Sequence, residues 1–172
     1  MSDTPTPNSA PSAASAREVV SDPALIREHL ALLAEAAQHD VVVFAPQLEA
    51  RLFNTGRLTA ALAHFVAGRR QRQVRFLVED GAQALRDNGR VVDLCRRLSD
   101  FVDLRQVGEA HRGLREVFVV IDRRAYLHQE DTAKPTCVID PAGRRVALDL
   151  GARFEAMWEQ SEPVEGLRTA GL

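Results

Sequence analysis

The chain has 172 residues, of which 45% are hydrophobic and 27% charged, with a formal net charge of −2 at pH 7. That suits one globular domain and excludes a collagen-like or wholly disordered chain. The near-neutral charge excludes a protein that coats nucleic acid through bulk positive charge, and no apolar run approaches the roughly 18 residues of a membrane span.

Residues 1–20 begin with a Ser-, Ala-, Thr- and Pro-rich stretch that has neither the basic start nor the apolar core of a secretory signal. They are expected to form a disordered leader. The folded domain is expected over 21–165 and a tail over 166–172. A cytoplasmic location without membrane contact is expected.

Asp22 suits a helix N-cap and Pro23 a first helical position. Ile26, Leu30, Leu33 and Ala37 follow at helical spacing, which predicts a helix to about Gln38. Val41–Phe44 is wholly apolar between Asp40 and Pro46 and predicts a buried strand. Leu58, Leu62 and Phe65 or Val66 mark a second helix, with Gly68 placed to end it. Val74–Val78 is the next predicted strand. Gly81 and Gly89 punctuate the turn that follows it. Val91, Leu94, Cys95 and Leu98 form a third helical stripe. Phe101–Val107 and Val117–Ile121 predict strands, and Asp122–Arg124 turns the second into Ala125–His128. Pro141–Gly143 is a turn signal. A closing helix is predicted over 149–161, with Leu150, Phe154, Met157 and Trp158 on one face. Strands alternating with helices predict an α/β domain, a mixed sheet with helices packed on its faces.

The common chemical motifs are absent: no phosphate loop, no GxGxxG, no GxSxG, no HExxH. No His or Cys has a second at metal spacing, so neither metal nor cofactor is expected. Arg105–Ala110 matches the short R-x-x-G-x-A pattern of acetyl-CoA binding in GNAT acetyltransferases. That pattern needs a long helix next, to point its N-terminus at the pyrophosphate; the few residues before Val117 cannot build one. The densest charge feature is Arg69-Arg70-Gln71-Arg72, followed by Arg75. Arg96–Arg97 and Arg123–Arg124 add two more pairs. The chain uses 21 Arg and one Lys, Lys134, a bias that dilutes the meaning of any single cluster. Phosphate contact and a solvated helix end both remain open for Arg69, Arg70 and Arg72.

Val74–Val78, Phe101–Val107, Arg115–Asp122 and the closing helix through Phe154 and Trp158 together resemble one repeat of the phospholipase D-like fold. That superfamily carries H-x-K-x(4)-D, in which the histidine attacks phosphorus, the lysine neutralises the phosphate and the aspartate supports the site. Aligned on Asp122, this chain has Arg115 for the histidine and Val117 for the lysine. Guanidinium stays protonated and offers no nucleophile. Val42–Glu49, Leu94–Leu98 and Phe154–Ser161 extend the likeness to a degenerate phospholipase D-like domain of gammaproteobacteria. That domain can follow an acetyltransferase domain and is sometimes named after it.

The resemblance implies a non-catalytic binding or regulatory module for a phosphate-bearing ligand or a partner protein. Arg115, Asp122, Arg69, Arg70 and Arg72 are the candidate ligand-binding residues. A phosphodiesterase or nuclease with a remodelled site, using His111 or an acidic cluster with a metal, is the alternative. A homodimer is expected because single repeats of this fold often pair; nucleic acid and an acetyltransferase are the other candidate partners.

Overall fold

A computed structural model describes residues 16–168. Eight strands form one mixed sheet in the order β1-β7-β6-β5-β2-β3-β4-β8. They are β1 Glu18–Val20, β2 Asp40–Phe44, β3 Gln73–Val78, β4 Val102–Gln106, β5 Val117–Ile121, β6 Ala125–Gln129, β7 Cys137–Asp140 and β8 Glu162–Pro163. β2, β3 and β4 run parallel, and all other pairings are antiparallel. The helices are α1 Pro23–Glu35, α2 Ala50–Phe53, α3 Gly56–Val66, α4 Gly81–Asp87, α5 Gly89–Arg97 and α6 Arg144–Glu159.

The pleat divides the core in two. Val41, Val43, Val74, Phe76, Val117 and Val119 point to one side, under α1 to α5. Val42, Phe44, Leu77, Phe118 and Val120 point to the other, under α6 with Ala147, Leu150, Phe154 and Met157. Both faces of the central strands are covered, which is why β2 and β5 read as unbroken apolar runs. The predicted α/β architecture is the one observed.

Asp22 caps α1 as expected, accepting the Ala24 N–H at 2.8 Å. The helix ends at Glu35, earlier than its periodicity predicts. The reason lies far along the chain: the N–H groups of Gln38, His39 and Asp40 donate to the Asp122 carboxylate instead of to helix carbonyls. Gly68 follows α3 with φ +70°, the left-handed conformation its position requires. α6 begins at Arg144, well before the predicted 149, and its N-cap Gly143 supplies no side-chain cap that would mark the start in the sequence. A Cβ at Gly143 would collide with the Tyr126 ring, so glycine is needed for close approach.

Two predicted boundaries are corrected. Glu18–Val20, assigned to the leader, form β1 at the sheet edge opposite β7; three residues carry too short a pattern to be recognised. Residues 1–15 of the leader lie outside the described residues. At the other end, Leu167, assigned to the tail, is buried. Arg96 donates to the carbonyls of Gly166 at 3.1 Å and Leu167 at 2.9 Å. The domain therefore continues past 165. Residues 169–172 of the tail lie outside the described residues.

Candidate functional site

The sheet has two ends. At its carboxyl end the chain leaves β2, β3 and β4 and enters β5. A groove of about 830 Å³ opens there, lined by Arg115, Val117, Gln129, Glu79, Gln83 and Lys134 among others. Gln83 in its lining is held in place by Leu48, accepting the Leu48 N–H at 3.2 Å and donating back to the Leu48 carbonyl at 3.1 Å. Buried Asn88 donates to that same carbonyl at 2.8 Å. Glu79 accepts the Gly113 N–H at 2.9 Å, which fixes the loop ahead of β5.

Arg115 and Val117 lie two residues apart on one face of the chain and both line this groove. Val117 is buried opposite Gln129. The Arg115 side chain is 67% exposed and stands 3.5 Å from Asp131. At that exposure such a pair adds little stability, about 0–1 kcal/mol.

Glu116, between them, points to the α6 side. Its carboxylate meets His128 Nε2 at 2.9 Å and pairs with Arg153. Arg153 also covers the Phe118 ring at 5.6 Å. Burial pushes the His128 pKa down, and Glu130 offsets part of that. The sequence carries a signal for this cluster. Strand alternation sends Glu116 away from Arg115, and the hairpin register sets Phe118 opposite His128.

Asp122 stands at the other end of β5. Seven residues of extended chain separate it from Arg115, about 23 Å. The groove expected near both residues is thus resolved into two separate places. The Asp122 carboxylate accepts three backbone N–H groups, from Gln38 at 2.9 Å, His39 at 2.7 Å and Asp40 at 3.1 Å. It ties the β5–β6 hairpin to the start of β2.

Arg69, Arg70 and Arg72 share this amino end with Asp122. With Gln38 and His39 they line a depression there. Arg72 donates to the Phe65 carbonyl at 2.8 Å and lies 5.2 Å over that residue's ring, so it braces the loop. Arg69 and Arg70 are exposed and have no carboxylate partner among the described residues. Arg75 is committed elsewhere, paired with Glu155 and held over Phe154 and Trp158.

Asp40 lies beside this end and its side chain makes no hydrogen bond among the described residues. Burial pushes its carboxyl above the ordinary 3.8; Arg123 pulls it down, Asp122 pushes it up, and Arg75 and Glu155 act more weakly. The folded state therefore binds that proton more tightly than the unfolded chain, and ionised Asp40 lowers stability above the raised value. The penalty disappears as pH falls below 3.8. Asp40→Asn is expected to raise the melting temperature at neutral pH and to match the parent near pH 3, measured by calorimetry at both.

Cys95 and Cys137 are free and buried. Burial pushes both thiols up to about 12, so neither is a thiolate at neutral pH. His111 lies 3.1 Å from Gln160 and outside the groove lining. Glu109–His111 is a single 3₁₀ turn, and no helix follows the R-x-x-G-x-A stretch. Arg105 of that stretch donates to the Ser161 hydroxyl and carbonyl, both at 2.7 Å. Among the described residues no three His, Cys, Asp or Glu side chains are grouped to hold a metal ion. Among the described residues no helix is long and apolar enough to cross a membrane.

The sheet and its layers define a domain of phospholipase D-like fold. The chain belongs to the DUF7931 family, a domain of unknown function, over residues 22–170. Nuc from Salmonella typhimurium, a phospholipase D family member, is similar with a TM-score of 0.55 and 13% identity over 86% of this chain and 96% of its own. NucT from Helicobacter pylori gives 0.59 and 10% over 86% and 98%. TrmBL2, an archaeal chromatin protein described with a novel mode of DNA binding, gives 0.63 and 16% over 86% of this chain. This chain covers about half of that protein, 54% of its length. No curated protein matches the chain.

Proposed function

We propose that the protein is a non-catalytic binding module that recognises a phosphate-bearing ligand. One observation carries this reading. Where phospholipase D-like enzymes hold their nucleophile and neutralising lysine, this chain has Arg115 and Val117, yet it keeps exposed arginines, among them Arg69 and Arg70, that form no salt bridge among the described residues. Guanidinium cannot attack phosphorus but binds phosphate well. The likeness to Nuc and to a DNA-binding chromatin protein supports a phosphate-bearing ligand.

The purified protein is expected to be retained on heparin at low salt and released as salt rises. It is expected to leave bis(4-nitrophenyl) phosphate intact with or without divalent ions. Failure to bind heparin would overturn the reading. A second reading, a phosphodiesterase with a remodelled site, draws on the Glu116–His128 contact, a carboxylate holding a base. Hydrolysis that His128→Ala abolishes would establish it in place of the first. A cytoplasmic homodimer and an acetyltransferase partner belong to the first reading. Light scattering tests the dimer, and co-purification tests the partner.

A further inference from the structure

The two ends of the sheet differ in charge. The connectors at the amino end (36–39, 67–72, 98–101, 122–124 and 141–143) hold five arginines and two aspartates. One of those aspartates, Asp122, is spent on backbone N–H groups. The connectors at the carboxyl end (21–22, 45–49, 79–80, 107–116, 130–136 and 160–161) hold eight acids and three bases. A net charge of −2 thus conceals a segregation that composition cannot reveal.

We propose that the amino end is a nucleic-acid surface, on which Arg69, Arg70, Arg123 and Arg124 contact the phosphodiester backbone. This rests on the reading of a phosphate-bearing ligand and moves it away from the groove beside Arg115. The four residues are exposed and none forms a salt bridge among the described residues; Arg123 acts on Asp40 and Glu155 only at longer range. Arg57, Arg97 and Arg153, by contrast, are all paired. The surface is continuous: the depression beside Arg69 and Arg70 and its neighbour beside Arg123 share His39 and Gln71.

Spacing selects a polymer. The loop before β3 and the turn after β5 flank β2, two strand separations or about 10 Å apart. A single phosphate cannot bridge that span, whereas a duplex offers one charge per about 1.7 Å of axis. Both loops are braced, one by Arg72 on Phe65 and the other by Asp122, so little ordering entropy is lost on binding. No aromatic or large apolar side chain occurs in 67–72 or 122–124. Base stacking and membrane insertion both need one, which leaves backbone contact.

A backbone outlier points the same way. Asp122 and Arg123 have φ of 56° and 54°, as in the tight hairpin turn that normally takes Asn-Gly. Arginine at such a position costs of order 1 kcal/mol against glycine. The carboxyl termini of α1, α3 and α5 also face this end and favour cations, but that field fades within a turn. Arg123 and Arg124 sit on a hairpin, not at a helix end.

The test is fluorescence anisotropy with labelled single- and double-stranded DNA and RNA across a salt series. Four phosphate contacts give a log–log salt slope near −3.6 for duplex, so a fourfold rise in salt weakens binding about 150-fold. Changing Arg69, Arg70, Arg123 and Arg124 together to Gln is expected to remove that dependence. Arg115→Gln with Lys134→Gln is expected to leave it. Arg123→Gly alone is expected to raise the melting temperature while weakening binding, which a merely structural arginine would not do. Loss of binding in the groove variant, with the four-arginine variant unaffected, would overturn this site and leave the phosphate reading standing. Binding to anionic vesicles but not to nucleic acid would overturn the ligand. Binding to heparin alone would do the same, and binding to no polyanion would overturn both.

Discussion

Phe154→Ala is expected to cost about 3–5 kcal/mol and to lower the melting temperature by roughly 6–20 °C for a domain of this size. Phe154 is fully buried in the smaller core, with Phe44, Leu77, Phe118, Leu150 and Met157 around it. Among the described residues α6 is the one helix on that side of the sheet, so no neighbouring helix can shift into the void. The ring also stacks on Trp158 at 5.6 Å and supports Arg75 at 5.2 Å. Its removal undoes the cation–π contact along with the apolar packing. Chemical denaturation followed by far-ultraviolet circular dichroism measures the loss. A cost under about 1 kcal/mol would show that α6 contributes little to the fold.

Asp122→Ala is expected to cost about 2–3 kcal/mol. The substitution leaves the N–H groups of Gln38, His39 and Asp40 without their shared acceptor. Two of them are exposed and regain water; the Asp40 N–H is partly buried and does so less readily. Alanine also tolerates φ of 56° less well than Asp does. Asp122→Asn keeps the left-handed preference and one acceptor oxygen, and should lose about half as much. Amide exchange at residues 38–40 is the local readout. It should quicken in the alanine variant while exchange in β3 stays near the global limit. Equal exchange in parent and variant would show that the carboxylate is not the clasp.

The sequence made the central elements legible because their residues are buried on a regular period. β2, β3 and β5 were readable as apolar runs, and α1, α3 and α5 as stripes. β1, β7, β8 and α2 were not, since two to four residues are shorter than any period, and Gly81–Asp87, expected as a turn, forms α4. Arg115, Arg69, Arg70 and Arg72 were individually visible, but their distribution over two ends depended on strand direction. β5 runs antiparallel to β2, which puts Arg115 at one end and Asp122 at the other. The pairing of Glu116 with His128 and Arg153 needed the register of a hairpin and the crossing of α6, both long-range properties.

β1 pairs with β7 through Glu18 and Ile139, about 120 residues apart. At ribosomal rates of about 5–20 residues per second, the first strand waits roughly 6–24 s for its partner to be made. During that interval the parallel strands can assemble, while β2 lacks the neighbour that β5 will supply. The nascent chain thus carries Val41–Phe44 with an open edge until its last third is synthesised, and that edge is where premature contacts between chains would begin.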